Sequence, residues 1–160
     1  MPVAVICADE IHLPDCLEIL LDSILGEYFE PELAQSILKS GCTNHELFVA
    51  IDQEEVVGFY LSADKGAFLV FPYLHLLAVK TGVRSHGIGT SLLRHFENQQ
   101  MERDGYPFNV KSFLLVSQEN TKAIGFYEHK GYQRKAVFDD MFSEGDTEIL
   151  MMKELGSKGS

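Results

Sequence analysis

The 160-residue sequence has no tryptophan, only five prolines, and far fewer basic residues (13) than acidic ones (24). The formal charge of −11 repels nucleic-acid phosphates, so we expect no nucleic-acid partner. No apolar run reaches the roughly 18 residues that a membrane-spanning helix needs, so we expect no membrane association. The N-terminus also lacks the basic and apolar regions of a secretion signal, which makes a cytoplasmic location the default expectation.

Cysteine is scarce as well. Cys7, Cys16 and Cys42 form an odd set with no Cys-x-x-Cys pair and no histidine pair at ligand spacing. We interpret the three as reduced, buried, small apolar residues, with metal ligation or nucleophilic chemistry as the alternatives. We expect no metal site.

Hydrophobic periodicity predicts a mixed α/β chain with the order β-α-α-β-β-β-α-β-α-β-β and a largely antiparallel sheet. The third helix follows a long strand over residues 68–79. We expect this strand to pair in parallel with the strand that comes after the helix. Gly26 and Gly41 are predicted to end the first two helices. No repeat or linker divides the chain, so residues 1–155 are predicted to form one domain and residues 156–160 a disordered tail.

Residues 74–97 are the most informative stretch, because they combine an apolar strand, a basic glycine-containing turn and the start of an amphipathic helix. Gly87 and Gly89 let backbone N–H groups approach an anion at the positive end of the helix dipole. A phosphorylated ligand is one interpretation; a turn that needs glycine only for its backbone conformation is the other. Walker and dinucleotide loops do not fit, since the first has no match and Leu92 replaces the third glycine of the second.

Two motifs resemble the GNAT superfamily of acetyl-CoA-dependent N-acetyltransferases. Arg84-Ser85-His86-Gly87-Ile88-Gly89, after the strand end Leu77-Ala78-Val79, is similar to that family's pyrophosphate loop. The segment from Asn120 to Tyr132 resembles the other signature, with asparagine, alanine, tyrosine and glycine at matching offsets. Asn120 lies where a helix N-cap is expected. The element order over residues 3–155 resembles the family too.

The resemblance implies a GNAT-like fold, in which about four helices flank a central, twisted, mostly antiparallel sheet of six to seven strands. It implies acetyl-CoA (coenzyme A) as cofactor and direct transfer of the acetyl group to a primary amine of a small molecule or peptide. A non-catalytic CoA-binding regulatory module of the same fold is the alternative. The cofactor-binding residues that it implies are Leu77, Ala78, Val79, Arg84, Ser85, His86, Gly87, Ile88, Gly89, Thr90, Asn120, Ala123, Phe126 and Tyr127.

The resemblance also implies catalytic roles. Tyr127 matches a tyrosine that protonates the departing thiolate, although a half-buried core tyrosine would give the same pattern. The backbone N–H of Leu77 matches the donor that polarises the thioester carbonyl. Residues 75–79 are locally similar to arylalkylamine N-acetyltransferases, which makes His75 the candidate base; a structural histidine or a bound water as base are the alternatives.

The sequence says least about the acceptor substrate. Tyr28, Tyr73 and His75 are candidate substrate-binding residues, and strand alternation predicts that Tyr73 and His75 share a face of the sheet. The loop over residues 139–148 contains five acidic residues. Either the loop is simply solvated, or its negative charge attracts a cationic amine. A homodimer is expected from the frequency of two-fold symmetry among soluble proteins.

Overall fold

A computed structural model of the protein describes residues 3–83, 87–102 and 109–156. Within these residues, four helices and seven strands follow the predicted order. The helices are α1 (Leu13–Leu21), α2 (Pro31–Thr43), α3 (Ile88–Met101) and α4 (Thr121–His129). The strands are β1 (Ala4–Cys7), β2 (Leu47–Asp52), β3 (Glu55–Ala67), β4 (Phe71–Val79), β5 (Val110–Ser117), β6 (Gln133–Phe138) and β7 (Glu148–Gly156).

The strands form a sheet in the order β1-β2-β3-β4-β5-β7-β6. The pairs β1/β2, β2/β3, β5/β7 and β6/β7 are antiparallel. In contrast, β4 and β5 pair in parallel, with Tyr73 opposite Phe113 and Leu74 opposite Leu114. Because α3 separates these two strands in the sequence, the prediction of a parallel pair on either side of the third helix is confirmed, and so is the mixed α/β fold class.

The chain divides into two compact units, one formed by residues 1–63 and 75–99 and the other by residues 64–74 and 100–160. The boundary passes through β3 and β4, so each of these strands contributes to both units. A single domain over residues 1–155 stays a prediction. Gly156, which the sequence assigned to the tail, is the last residue of β7.

The core of the first unit lies where α1 and α2 cover one face of β2 and β3. Leu20 of α1 and Leu38 of α2 pack with Phe59 of β3 in one buried cluster, and each is at most 1% exposed. Burying a side chain of this size contributes about 1.5–3 kcal/mol. Leu76 and Ala78 of β4 belong to the same cluster, so the core fixes the strand that carries His75 and Leu77.

The two predicted helix ends at glycine are wrong. Helix α1 ends at Leu21, and Gly26 lies in a 3-10 turn over Ile24–Tyr28. A Cβ at Gly26 would lie 2.7 Å from the carbonyl oxygen of Leu20, so glycine is needed there for close backbone approach. Helix α2 continues through Gly41 to Thr43, because Gly41 makes room for the side chain of Leu61.

The cysteines are only partly as expected. Cys16 is fully buried, and burial raises the pKa of its thiol to about 12, so it stays protonated. Cys42 is half-buried and donates to the carbonyl oxygen of Ala8 at 3.3 Å. Cys7 is exposed on β1 rather than buried, which corrects the sequence-based expectation.

In the second unit, the segment after α4 lies against Lys153 of β7 and Ser112 of β5. Ile149 and Met151 of β7 are at most 2% exposed, whereas their sequence neighbours alternate to the other face of the strand. The Tyr132 hydroxyl donates a buried hydrogen bond to Oγ of Ser112 at 2.9 Å. This bond ties the segment after α4 to β5. Among the described residues, none of the helices has the length and apolar character to cross a bilayer.

Candidate functional site

Strand β4 presents two chemically different faces. Its buried residues alternate strictly with accessible ones, as expected for a strand with one face in the core. Leu74, Leu76 and Ala78 point into the interior. The opposite face carries Tyr73, His75, Leu77 and Val79. The sequence prediction that Tyr73 and His75 share a face is therefore confirmed.

His75 is accessible to solvent, but neighbouring protein atoms partly desolvate its ring. This desolvation lowers the pKa of His75 below its ordinary value of 6.5. The imidazole is consequently neutral at pH 7, which is the form that can accept a proton. The structure thus gives His75 the protonation state that a general base requires.

Gly87 lies at the turn where the chain enters α3. Its φ is +75°, a left-handed conformation that favours glycine, and no described protein atom lies within 4 Å of the position of an added Cβ. Its carbonyl oxygen accepts from the N–H of Ser91 at 3.0 Å, so Ile88, Gly89 and Thr90 form the first turn of the helix. The N–H groups of a first turn have no acceptor within the helix, which makes them donors for an anion.

Arg84, Ser85 and His86, which the sequence also assigned to this loop, lie outside the described residues.

Gly58 is a positioning residue that the sequence interpretation missed. A Cβ at this position in β3 would lie 2.9 Å from the carbonyl oxygen of Ala78 and 3.2 Å from Cγ2 of Ile88. Glycine therefore allows the first turn of α3 to pack directly on the strand, with Ile88 only 1% exposed. An isolated glycine inside a strand pattern was the available signal, because it often marks close backbone approach.

Asn120 caps helix α4 as predicted. Its side-chain oxygen accepts from the backbone N–H of Ala123 at 3.2 Å. The cap uses the oxygen of the amide and leaves the nitrogen as a donor for another group. One side chain can therefore start the helix and also contact a ligand.

Tyr127 lies on the buried face of α4 and is 8% exposed. Its ring makes edge contacts with Phe126 at 5.2 Å and Tyr132 at 5.7 Å between centroids. Burial raises the pKa of the Tyr127 hydroxyl far above its ordinary range, so this group remains protonated at any pH where the protein functions. It can donate a proton or hydrogen bond and cannot serve as a base.

The other two candidate acceptor-binding residues lie in different parts of the chain. Tyr28 is the last residue of the 3-10 turn in the first unit and is 40% exposed. Tyr73 belongs to the second unit, where burial, followed by the charge of Glu148, raises the pKa of its hydroxyl to about 12. Tyr73 is thus a neutral phenol with an acidic side chain as its neighbour.

These residues fit a phosphorylated thioester donor. The open space beside Gly87 would be filled by a side chain in any other residue, and the adjacent helix start supplies anion-binding N–H groups. Gly125 of α4 also has no described atom within 4 Å of an added Cβ, although glycine is unfavourable inside a helix. Both glycines therefore leave backbone accessible to a ligand.

Comparison with known proteins agrees with this geometry. The family described as "Acetyltransferase (GNAT) domain" matches residues 43–134, more than half of the chain. An uncharacterized N-acetyltransferase of Methanocaldococcus jannaschii is 34% identical over 112 residues, which cover 67% of this chain and 65% of the relative. The chain thus spans just under two thirds of the length of that relative.

Two solved structures share the fold. A GNAT-family acetyltransferase from Desulfovibrio desulfuricans superposes with a TM-score of 0.81 at 18% identity, covering 97% of this chain and 100% of that one. An aminoglycoside 6'-N-acetyltransferase complexed with coenzyme A gives a TM-score of 0.78 at 21% identity and covers all of both chains.

The chain belongs to the GNAT acetyltransferase family, as the two motifs predicted. The cofactor that the resemblance implied, acetyl-CoA, agrees with membership of this family. The match includes the strand, turn and helix around Gly87 and extends through Asn120 and Tyr127.

Proposed function

We propose that this protein transfers an acetyl group from acetyl-CoA to the primary amine of a small molecule or peptide by direct attack. The observation that carries the proposal is the left-handed, uncovered Gly87 at the start of α3. The relative from Methanocaldococcus jannaschii is named as an N-acetyltransferase, which supports the choice of an amine as acceptor. The non-catalytic module is not favoured, because the matching family is one of acetyltransferases.

Acetyl-CoA supplies an activated thioester. We assign its pyrophosphate to the N–H groups of Gly87 and the first turn of α3, together with Arg84, Ser85 and His86. We assign its pantetheine arm to the backbone of Leu77, Ala78 and Val79 and to the side-chain amide of Asn120. Ala123 and Phe126 complete the assignment on α4.

Three groups of the chain act on the reacting atoms in this proposal. The neutral imidazole of His75 takes the proton that an alkylammonium must lose, because an amine with a pKa of about 10.4 is almost fully protonated at pH 7. The backbone N–H of Leu77 donates to the thioester carbonyl oxygen. The hydroxyl of Tyr127 donates a proton to the sulfur as it leaves, and the proton that the nitrogen loses as the amide forms restores the hydroxyl.

The test is release of free thiol from acetyl-CoA in the presence of a panel of primary amines. The proposal expects turnover that needs both protein and amine, and mass spectrometry should show an amine product heavier by one acetyl group. The corresponding alcohols serve as controls, since they match the amines in shape and lack the nucleophilic nitrogen. If the protein binds acetyl-CoA and no amine in the panel increases thiol release, the catalytic proposal is contradicted.

A further inference from the structure

A buried carboxylate lies at the base of the closing hairpin. Glu148, the first residue of β7, is 5% exposed, and its Oε2 has no hydrogen-bond partner among the residues that the structure describes. Buried charges in proteins are normally paired, because an unpaired charge removed from water is strongly unfavourable. A buried oxygen without a partner in the chain is normally satisfied by an ordered water or by a donor from a bound molecule.

The other acidic residues of the loop behave differently. The carboxylate of Asp140 accepts from the N–H of Gly145 at 2.7 Å, and that of Asp139 accepts from the Thr147 hydroxyl at 3.1 Å. Asp146 likewise bonds the hydroxyl of Ser143. These contacts fold the loop on itself, and Glu144 is exposed to solvent. Glu148 is therefore distinct among the five acidic residues.

The strand register places two aromatic residues on the same face of the sheet as Glu148. In the ladders it lies directly opposite Ser117 of β5 and Phe138 of β6, so these three side chains share a face of the sheet. Tyr73 shares this face too, because its partner Phe113 precedes Ser117 by four residues. After burial, the charge of Glu148 is the second cause of the raised pKa of the Tyr73 hydroxyl.

We propose that Glu148 binds the ammonium group of the amine acceptor, and that this acceptor carries an apolar substituent beside its nitrogen. The inference rests on the proposed acetyltransferase function and adds a residue for acceptor recognition. A primary ammonium supplies three N–H donors, of which one satisfies Oε2. Phe138, which is 40% exposed, and the ring of Tyr73 offer aromatic surface to the cation and its apolar part.

The test measures binding of 2-phenylethylammonium chloride by calorimetry to the full chain saturated with CoA, which has no acetyl group to transfer. Glu148→Gln removes the charge and keeps the shape, and Glu144→Gln is a matched change in the same loop. We expect Glu148→Gln to weaken amine binding at least tenfold and Glu144→Gln to stay within twofold of the parent. CoA affinity should be the same in all three proteins, and 2-phenylethanol should not distinguish them.

The outcomes separate the two proposals. Unchanged amine affinity in Glu148→Gln, equal weakening in Glu144→Gln, or no amine binding by a parent that binds CoA would each overturn the inference alone. Absence of CoA binding by the parent would overturn the proposed function instead.

Thermal unfolding without ligands adds a measurement that needs no amine. Since Glu148→Gln replaces an unpaired buried charge by a neutral group, its Tm should exceed that of the parent at pH 8, whereas Glu144→Gln should not change it. A lower Tm for Glu148→Gln would show that the carboxylate is held by the fold and would overturn the inference.

Discussion

Gly87 offers a test of the phosphate turn at the scale of one residue. Gly87→Glu introduces bulk and negative charge where we assign the pyrophosphate, so acetyl-CoA affinity should fall at least tenfold, or about 1.4 kcal/mol. Gly82 provides a matched control, because its φ is +95° and it too has no described atom within 4 Å of an added Cβ. Titration calorimetry on both variants makes the comparison.

Both substitutions impose the same backbone strain of about 1–2 kcal/mol, so their losses of stability should be similar. Only Gly87→Glu should lose the cofactor. Equal acetyl-CoA affinities in the two variants would remove Gly87 from the binding site.

Tyr127 and Tyr132 separate a catalytic hydroxyl from a structural one. Tyr127→Phe should reduce kcat about 100-fold if the hydroxyl acts as general acid, while the Kd for acetyl-CoA stays the same. Tyr132→Phe removes the hydrogen bond to Ser112 and should cost about 1 kcal/mol of stability with little change in kcat. Steady-state kinetics and thermal unfolding of both variants distinguish the roles, and a normal kcat in Tyr127→Phe would reassign that residue to the core.

The lowered pKa of His75 leads to a prediction about how activity depends on pH. Its pKa is lowered by desolvation, so neutral His75 is retained until the pH falls below 6.5, and the acid limb of kcat/KM should lie below that value. The same shift means that stability contributed by the neutral form is lost as the pH falls below 6.5. His75→Gln should lose the acid limb and become less sensitive to acid in urea unfolding. An acid limb that survives in His75→Gln would assign the base elsewhere.

Residue-scale features were predictable where the chemistry is local. Asn120 as a cap follows from its own side chain and the helix after it, and the structure confirms it. Glu148 was not predictable, because five acidic residues in one loop look alike in the sequence. Its burial depends on the pairing of β7 with both β5 and β6, which is a long-range property.

At the scale of elements, the position of α3 on the sheet depends on Gly58. Gly58→Ala should push the first turn of α3 away from β3 and both destabilise the protein and weaken acetyl-CoA binding severalfold. Gly26→Ala meets backbone atoms even more closely, at 2.7 Å, but lies in the 3-10 turn that follows α1. The stability of the Gly26→Ala variant should fall by about 1–3 kcal/mol without a matching loss of cofactor affinity.

Thermal unfolding with and without acetyl-CoA measures both effects. If the Gly26→Ala and Gly58→Ala variants lost cofactor affinity in proportion to their stability, Gly58 would have no specific role in positioning the helix.

Element order was predictable from periodicity, and element boundaries were not. Helix α2 passes through Gly41 because packing against Leu61 outweighs the local cost of glycine, about 1 kcal/mol. The strand predicted over residues 68–79 begins only at Phe71. Phe68 and Leu69 have φ of +56° and +68° and form a left-handed turn, which no glycine or asparagine signalled.

At the scale of the whole molecule, a formal charge of −11 opposes the binding of a phosphorylated cofactor. Screening reduces this repulsion at physiological ionic strength, where the Debye length is about 8 Å. The helix start at Gly87 acts at contact distance, so its N–H groups can outweigh the distant charges. A homodimer stays a prediction at this scale.

Acetyl-CoA should therefore stabilise the whole chain, and other phosphorylated cofactors should not. At 100 times its Kd a ligand that binds only the native state adds about 2.7 kcal/mol, which corresponds to roughly 5–11 °C in Tm for a chain of this size. NADP and ATP are the controls, because Leu92 interrupts a dinucleotide fingerprint and no Walker loop is present. The pyrophosphate that all three share would stabilise the protein equally if the turn at Gly87 recognised phosphate alone. A shift confined to acetyl-CoA and CoA means that the pantetheine arm, assigned to Leu77–Val79 and Asn120, supplies the selectivity.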